Sequence, residues 1–138
     1  MTFKNLDDLM KHIEKDVQDA LKHEVAEEVK ETMSQAVQTS VYDVYDPFVY
    51  TRRFNNGGLM STSNMNSRVD GNTLTVANET PLDNGRTDYS LTDIIVNGLG
   101  RQPFSRNFIS QTEENLDITK NHVWAMKQGL NNRGYDVK

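Results

Sequence analysis

Cysteine is absent from the 138 residues. That excludes disulfides, thiolate nucleophiles and cysteine-based zinc sites together, and leaves the chain indifferent to the redox state of its compartment. Long apolar runs are missing too: no segment approaches the ~20 consecutive apolar residues needed to cross a bilayer. Met1-Thr-Phe-Lys-Asn-Leu-Asp-Asp8 has no hydrophobic stretch of the secretory kind. These absences predict a protein made in the cytosol that is neither exported nor membrane-spanning. Hydrophobic residues are sparse at 36%, with 25% charged. The length and composition predict a single domain over 1–138 with a modest core, drawing on a partner or an oligomer for part of its burial. Clustered positive charge is the last absence. The net charge is −5, and residues 1–40 hold five Lys against nine Asp and Glu. Tight nucleic-acid binding relies on Lys and Arg displacing counterions from phosphates, so specific recognition of nucleic acid is not expected; proximity to a DNA channel remains compatible.

From about residue 5 to 40 the chain reads as one long helix. Leu6, Met10, Ile13, Val17, Leu21, Val25, Val29, Met33 and Val37 recur at steps of three or four with no Gly or Pro among them. Asn5 suits the N-cap, with Asp7 and Asp8 in the first turn where carboxylates complement the helix dipole. Most steps are four residues, so the apolar stripe drifts by ~40° per step. The two halves are expected to face different neighbours, or else to wind over one curved core. Pro47 ends the helix, leaving a connector over 42–60. A hairpin follows over about 64–79, with Asp70-Gly71 suited to a tight turn. Residues 80–89 read as a loop. Ser90-Leu-Thr-Asp93 has capping-box spacing and opens a short helix over 91–97, with a strand through Ile94-Ile-Val96 as the alternative. A second long helix is predicted from Pro103 over about 103–132, its seam formed by Phe104, Phe108, Thr112, Leu116, Thr119, Val123, Met126 and Leu130, stopping at Gly134. The fold class is therefore α+β, two long terminal helices packed with a small antiparallel hairpin.

Residues that carry chemistry are few. His12, His23 and His122 have no second His or Glu at zinc-binding helical spacing. Asp7-Asp8, Glu27-Glu28 and Glu113-Glu114 are sequence neighbours that diverge by ~100° on a helix and cannot share a substrate. Gly98-Leu-Gly100 lacks the third glycine of a dinucleotide loop, and no phosphate-loop Gly-Lys-Ser/Thr occurs. No catalytic, cofactor or metal residue is assigned, and an enzyme such as a small nuclease finds no support.

The densest informative stretch is Tyr42 to Leu59, which holds Tyr45, Tyr50, the Arg52-Arg53 pair and Gly57-Gly58. Aromatics interleaved with arginines and closing on two glycines suit a turning connector that contacts other proteins. Arg52 and Arg53 have two readings: they bond Asp43 and Asp46 and stack on Tyr45 or Tyr50, or they grip an acidic partner or a phosphate. Trp124 falls just beside the second helix's seam. It reads as core by composition, with an exposed interface anchor as the alternative. The candidate interface residues are thus Tyr42, Tyr45, Tyr50, Arg52, Arg53, Gly57, Gly58 and Trp124.

The spacing Tyr-x-x-Tyr-x-Pro-x-x-Tyr-x-Arg-Arg followed by Gly-Gly-Leu resembles a segment of small minor tail or neck proteins of long-tailed bacteriophages. The likeness extends to Val69-Asp-Gly-Asn-Thr-Leu-Thr-Val76, Leu91 through Gly100, Arg101-Gln-Pro-Phe104, Thr112-Glu-Glu-Asn-Leu116, Ala125-Met-Lys-Gln-Gly-Leu130 and Arg133-Gly134. Where the pattern leads one to expect an acidic residue after Leu59, this chain has Met60-Ser61-Thr62. The resemblance implies a non-enzymatic virion protein of the neck or tail that completes the tail or joins it to the head, with tail terminator or minor capsid protein as alternatives. It implies partners among connector and tail-tube proteins and copies of itself in a ring, hexameric in such positions. From a different class, a helical regulatory module binding another protein is the competing reading.

Overall fold

The computed structural model describes residues 2–43, 57–81, 91–97 and 105–138. A helix, α1, runs without interruption from Leu6 to Tyr42. It consists of α-helical segments Leu6–Ala20 and Ala26–Val37 and two π-helical turns, Leu21–Val25 and Gln38–Tyr42. Asn5 caps it as expected, its Oδ1 accepting from the Asp8 amide at 2.9 Å. The π turns are the structure's answer to the four-residue spacing. In the first, the Ala26 amide reaches back five residues to the Leu21 carbonyl, and the extra residue takes ~100° out of the drift of the apolar stripe. Drift remains, and the two halves do meet different surroundings. Ala20 is the sole buried residue of Leu6–Ala20, whereas Ala26–Val37 buries Ala26, Thr32, Met33, Ser34, Ala36 and Val37.

The hairpin comprises β1 (Met65–Asp70) and β2 (Thr73–Asn78), an antiparallel pair. Met65, Ser67 and Val69 lie opposite Asn78, Val76 and Leu74, and these inward positions are the less exposed ones in both strands. The turn falls one residue later than the sequence suggests. Asp70 is the last ladder residue, paired with Thr73, and Gly71 at φ +60 with Asn72 makes the two-residue loop. Positive φ at the first loop position alone is the type II′ pattern, which places glycine there.

Helix α2 covers Leu91–Asn97, as predicted, so the strand alternative is set aside. The second long helix is where sequence and structure part. Residues 105–107 are not helical, and α3 (Phe108–Thr119) starts under the cap of Asn107, whose Oδ1 accepts from the Ser110 amide. Pro103, the predicted start, lies outside the described residues. At Lys120 the chain turns left-handed (φ 56, ψ 25), and α4 (Asn121–Asn132) begins at once. At the break the Thr119 hydroxyl donates back to the Asn115 carbonyl and accepts from the Asn121 amide at 3.3 Å, so it bridges the end of α3 and the start of α4. The predicted stop at Gly134 holds: at φ +97 its amide bonds the Asn131 carbonyl and the Tyr135 amide bonds that of Leu130, closing a Schellman motif.

The core gathers Met33, Ala36, Val37, Val41 and Tyr42 of α1, Leu59, Met65 of β1, Ile95 of α2 and Phe108 of α3. Phe108 is fully buried, which contributes about 1.5–3 kcal/mol. Asn78 ties the non-helical parts to it. Its Nδ2 donates to the Leu59 carbonyl, its Oδ1 accepts from the amide and hydroxyl of Thr80, and its carbonyl accepts from the Thr92 hydroxyl of α2. Asn78 and Thr80, which match a glycosylation sequon in sequence, are both buried here. Their work is to satisfy backbone groups where loop, hairpin and helix meet.

Candidate functional site

Of the predicted interface residues, Tyr42 is buried and belongs to the core cluster with Val41, Leu59 and Phe108. Gly57 and Gly58 form a turn. Gly57 has φ +83 and open space around its Cα, and the carbonyls of both accept from Asn64 Nδ2. The Ser34 hydroxyl of α1 donates to the Met60 carbonyl, pinning that turn to the helix. Tyr45, Tyr50, Arg52 and Arg53 lie outside the described residues, as does Ser90 of the capping box. Beside the turn, Glu31, Ser34, Gln35, Gln38, Met60, Ser61 and Thr62 line an open depression of about 400 Å³.

Trp124 corrects the core reading. It is 64% exposed, and the break at Lys120 is the reason: the helical phase restarts there, so the seam that buries Phe108 and Thr112 in α3 does not continue through Val123 in α4. Lys127 Nζ lies 4.9 Å from the Trp124 ring centroid, one turn on, shielding one face while leaving the side chain at the surface. Val123, its neighbour in α4, is 41% exposed, and Ile118, before the break in α3, is 72% exposed. A second apolar patch sits at the start of α1, where Leu6 is 70% and Met10 50% exposed.

Spacing gave no hint of a third feature, the polar clasp between α1 and the C-terminal segment. Gly129 of α4 packs on the first π turn so closely that a Cβ there would lie 3.0 Å from Ala20 Cβ and 3.1 Å from Glu24 Cδ. Arg133 donates to Glu24 Oε1 at 2.8 Å and to the Gly129 carbonyl at 2.7 Å. The Tyr135 hydroxyl donates to Asp16 Oδ2 at 2.7 Å, and His12 Nε2 lies 3.2 Å from the same oxygen. Burial alone would raise the Glu24 carboxyl. The hydrogen bond from Arg133, its own backbone amide, and the charges of Arg133 and His23 outweigh it and hold Glu24 below the usual carboxylate range. The Glu24 bond likewise raises Arg133, and the bond to Asp16 raises Tyr135. These partners stand 109 and 119 residues apart, so only folding brings them together. Within the clasp Glu24 Oε2 is buried without a hydrogen-bond partner. Among the described residues no three His, Asp or Glu side chains converge as metal ligands, and no helix is long and apolar enough to cross a membrane.

One family model, described as YomN, matches residues 5–132. The chain belongs to the YomN family. No curated protein and no solved structure matches it. Membership in the YomN family suggests a phage-related protein without assigning it a place in a particle. The match takes in every described helix and strand, while Arg133 and Tyr135 of the clasp lie just beyond it.

Proposed function

We propose that this member of the YomN family is a non-enzymatic structural protein of a tailed phage particle, located in the neck or tail, where it completes the tail or joins tail to head. The observation that carries the reading is a chain of phage-related family whose helices keep Leu6, Met10, Ile118, Val123 and Trp124 on the surface. Large apolar and aromatic side chains left exposed on a polar chain are suited to subunit contacts. Its partners would be copies of itself in a ring and the neighbouring connector and tail-tube proteins, with Tyr45, Tyr50, Arg52 and Arg53 of the connector adding contacts. The test is to purify particles from cells carrying the gene with and without an early stop codon. The expected outcome is the protein in wild-type particles at fixed stoichiometry, and separate filled heads and tails in the mutant. Its absence from purified particles, with normal tailed particles in the mutant, would refute the proposal and favour the helical regulatory module.

A further inference from the structure

We infer that Leu6–Ala20 is a hinged arm, which leaves α4 by bending α1 at the first π turn, and that the C-terminal strap of residues 133–138 is the latch holding it closed.

The arm is thinly anchored. Of its residues only Ala20 is buried; Leu9, Ile13 and Val17 are half-buried, and Leu6 and Met10 stand exposed. The Asn5 cap and the Lys15–Asp19 pair are local to it. Among the described residues its one hydrogen bond to another element runs from the Tyr135 hydroxyl to Asp16 Oδ2 at 2.7 Å. His12 faces that oxygen from one turn earlier on the same arm, and moves with it. The other half of α1 is fixed in place, because Met33, Ala36, Val37 and Val41 belong to the core with Leu59, Ile95 and Phe108.

The boundary between the fixed half and the loose one is the π turn Leu21–Val25. Sharp bends in helices occur at such turns, where an inserted residue interrupts the regular ladder. The closest approach of α4 to α1 falls there too, and it is made by Gly129, whose missing side chain leaves no knob interlocked with Ala20 and Glu24. Glu24 Oε2 is buried without a partner, so closure leaves a carboxylate oxygen dehydrated, a cost that opening would relieve. The Arg133 bond to Glu24 falls on the pivot itself and keeps the two helices joined through the motion.

The strap, by contrast, is built onto α4. Gly134 closes the helix in a Schellman motif, Arg133 donates to the Gly129 carbonyl, and Asn131 both donates to the Val137 carbonyl and accepts from its amide. It therefore keeps its shape when the arm departs, and Tyr135 is a preformed catch for Asp16. The released arm stays helical, since it extends a helix already nucleated by the core half and keeps its own cap. The motion belongs to the single chain and does not rest on its use in a particle.

The chain has no cysteine, so spin labels can be placed on introduced ones. Lys11→Cys on the arm with Gln128→Cys on α4, both exposed, reports opening by pulsed electron paramagnetic resonance; Glu31→Cys with Glu113→Cys, also exposed, reports the body. With the native latch a single short distance is expected for the first pair. Tyr135→Phe and Asp16→Ala should each add a longer distance, populated at least roughly tenfold more than with the native latch, because a hydrogen bond to a charged group is lost. Combining the two should add nothing further, since both remove the same bond. The body pair should hold its distance, and circular dichroism should keep the native helical signal. An arm distance unchanged in both variants would overturn the inference. So would a shift in the body pair, which would place the bend elsewhere, or a helical loss matching Leu6–Ala20, which would mean that the arm unravels.

Discussion

Arg133 joins the last turn of α4 to the middle of α1 through two hydrogen bonds, one to the Glu24 carboxylate and one to the Gly129 carbonyl. With side-chain exposures of 21% and 26% the pair is neither at the free surface nor in the interior, and Glu24 Oε2 is buried without a partner. Replacing Arg133 with Gln should cost about 1–2 kcal/mol at neutral pH, between the values for exposed pairs and for lost bonds to charged groups. The pH dependence follows from the direction of the Glu24 shift. Its folded pKa lies below the ordinary 4.5, so the unfolded chain takes up the proton first; the stabilisation is complete above that value and is lost as pH falls through the folded one. In the Arg133→Gln variant the bond and charge of Arg133 no longer oppose burial, so the Glu24 carboxyl is held down less. Urea unfolding from pH 7 downward should therefore show the gap between wild type and variant closing below about pH 4.5. A gap that stays constant into acid would mean that the pair adds no charge-dependent stability.

Helix pairing turns on a glycine and a π turn. The extra residue in Leu21–Val25 widens α1 locally, and Gly129 lets the α4 backbone settle against Ala20 there. Gly129→Ala sets two effects against each other. Alanine improves helix propensity by about 1 kcal/mol. Against that, its Cβ would sit 3.0 Å from Ala20 Cβ, an atom fixed to the backbone, and such overpacking costs about 1–3 kcal/mol. The steric cost should win by about 1 kcal/mol and lower the melting temperature by roughly 3–5 °C for a chain of this length. A raised melting temperature would show slack between the helices. The C-terminal helix also marks a limit of element-level reading. Its apolar spacing is continuous through Thr119, yet the left-handed Lys120 cuts it in two, and Trp124, beside the expected seam, stands at the surface.

Across the whole molecule the core is lopsided. It gathers on the second half of α1 together with the hairpin, α2 and the start of α3, while Leu6–Ala20 is held mainly by the clasp. Amide exchange should follow that division, with Leu6–Ala20 opening locally and losing protection at least about tenfold faster than Ala26–Val37. Uniform protection along α1 in an exchange series would contradict it. Much of this molecule could be read from residues in a row. Hydrophobic periodicity, the Asn5 cap, the Gly71 turn and the Gly134 stop act within a few residues of themselves, so α1, the hairpin, α2 and the C-terminal end of α4 were legible without coordinates. Tertiary structure alone decided that Tyr42 goes inward and Trp124 outward, that Asn78 joins three elements, and that Glu24 and Asp16 meet Arg133 and Tyr135. The reason is physical: local signals depend on dihedrals and nearby hydrogen bonds, whereas a side chain's burial or partner across a hundred residues depends on helix phase and docking, which a single left-handed residue or one inserted π turn resets by a large fraction of a turn.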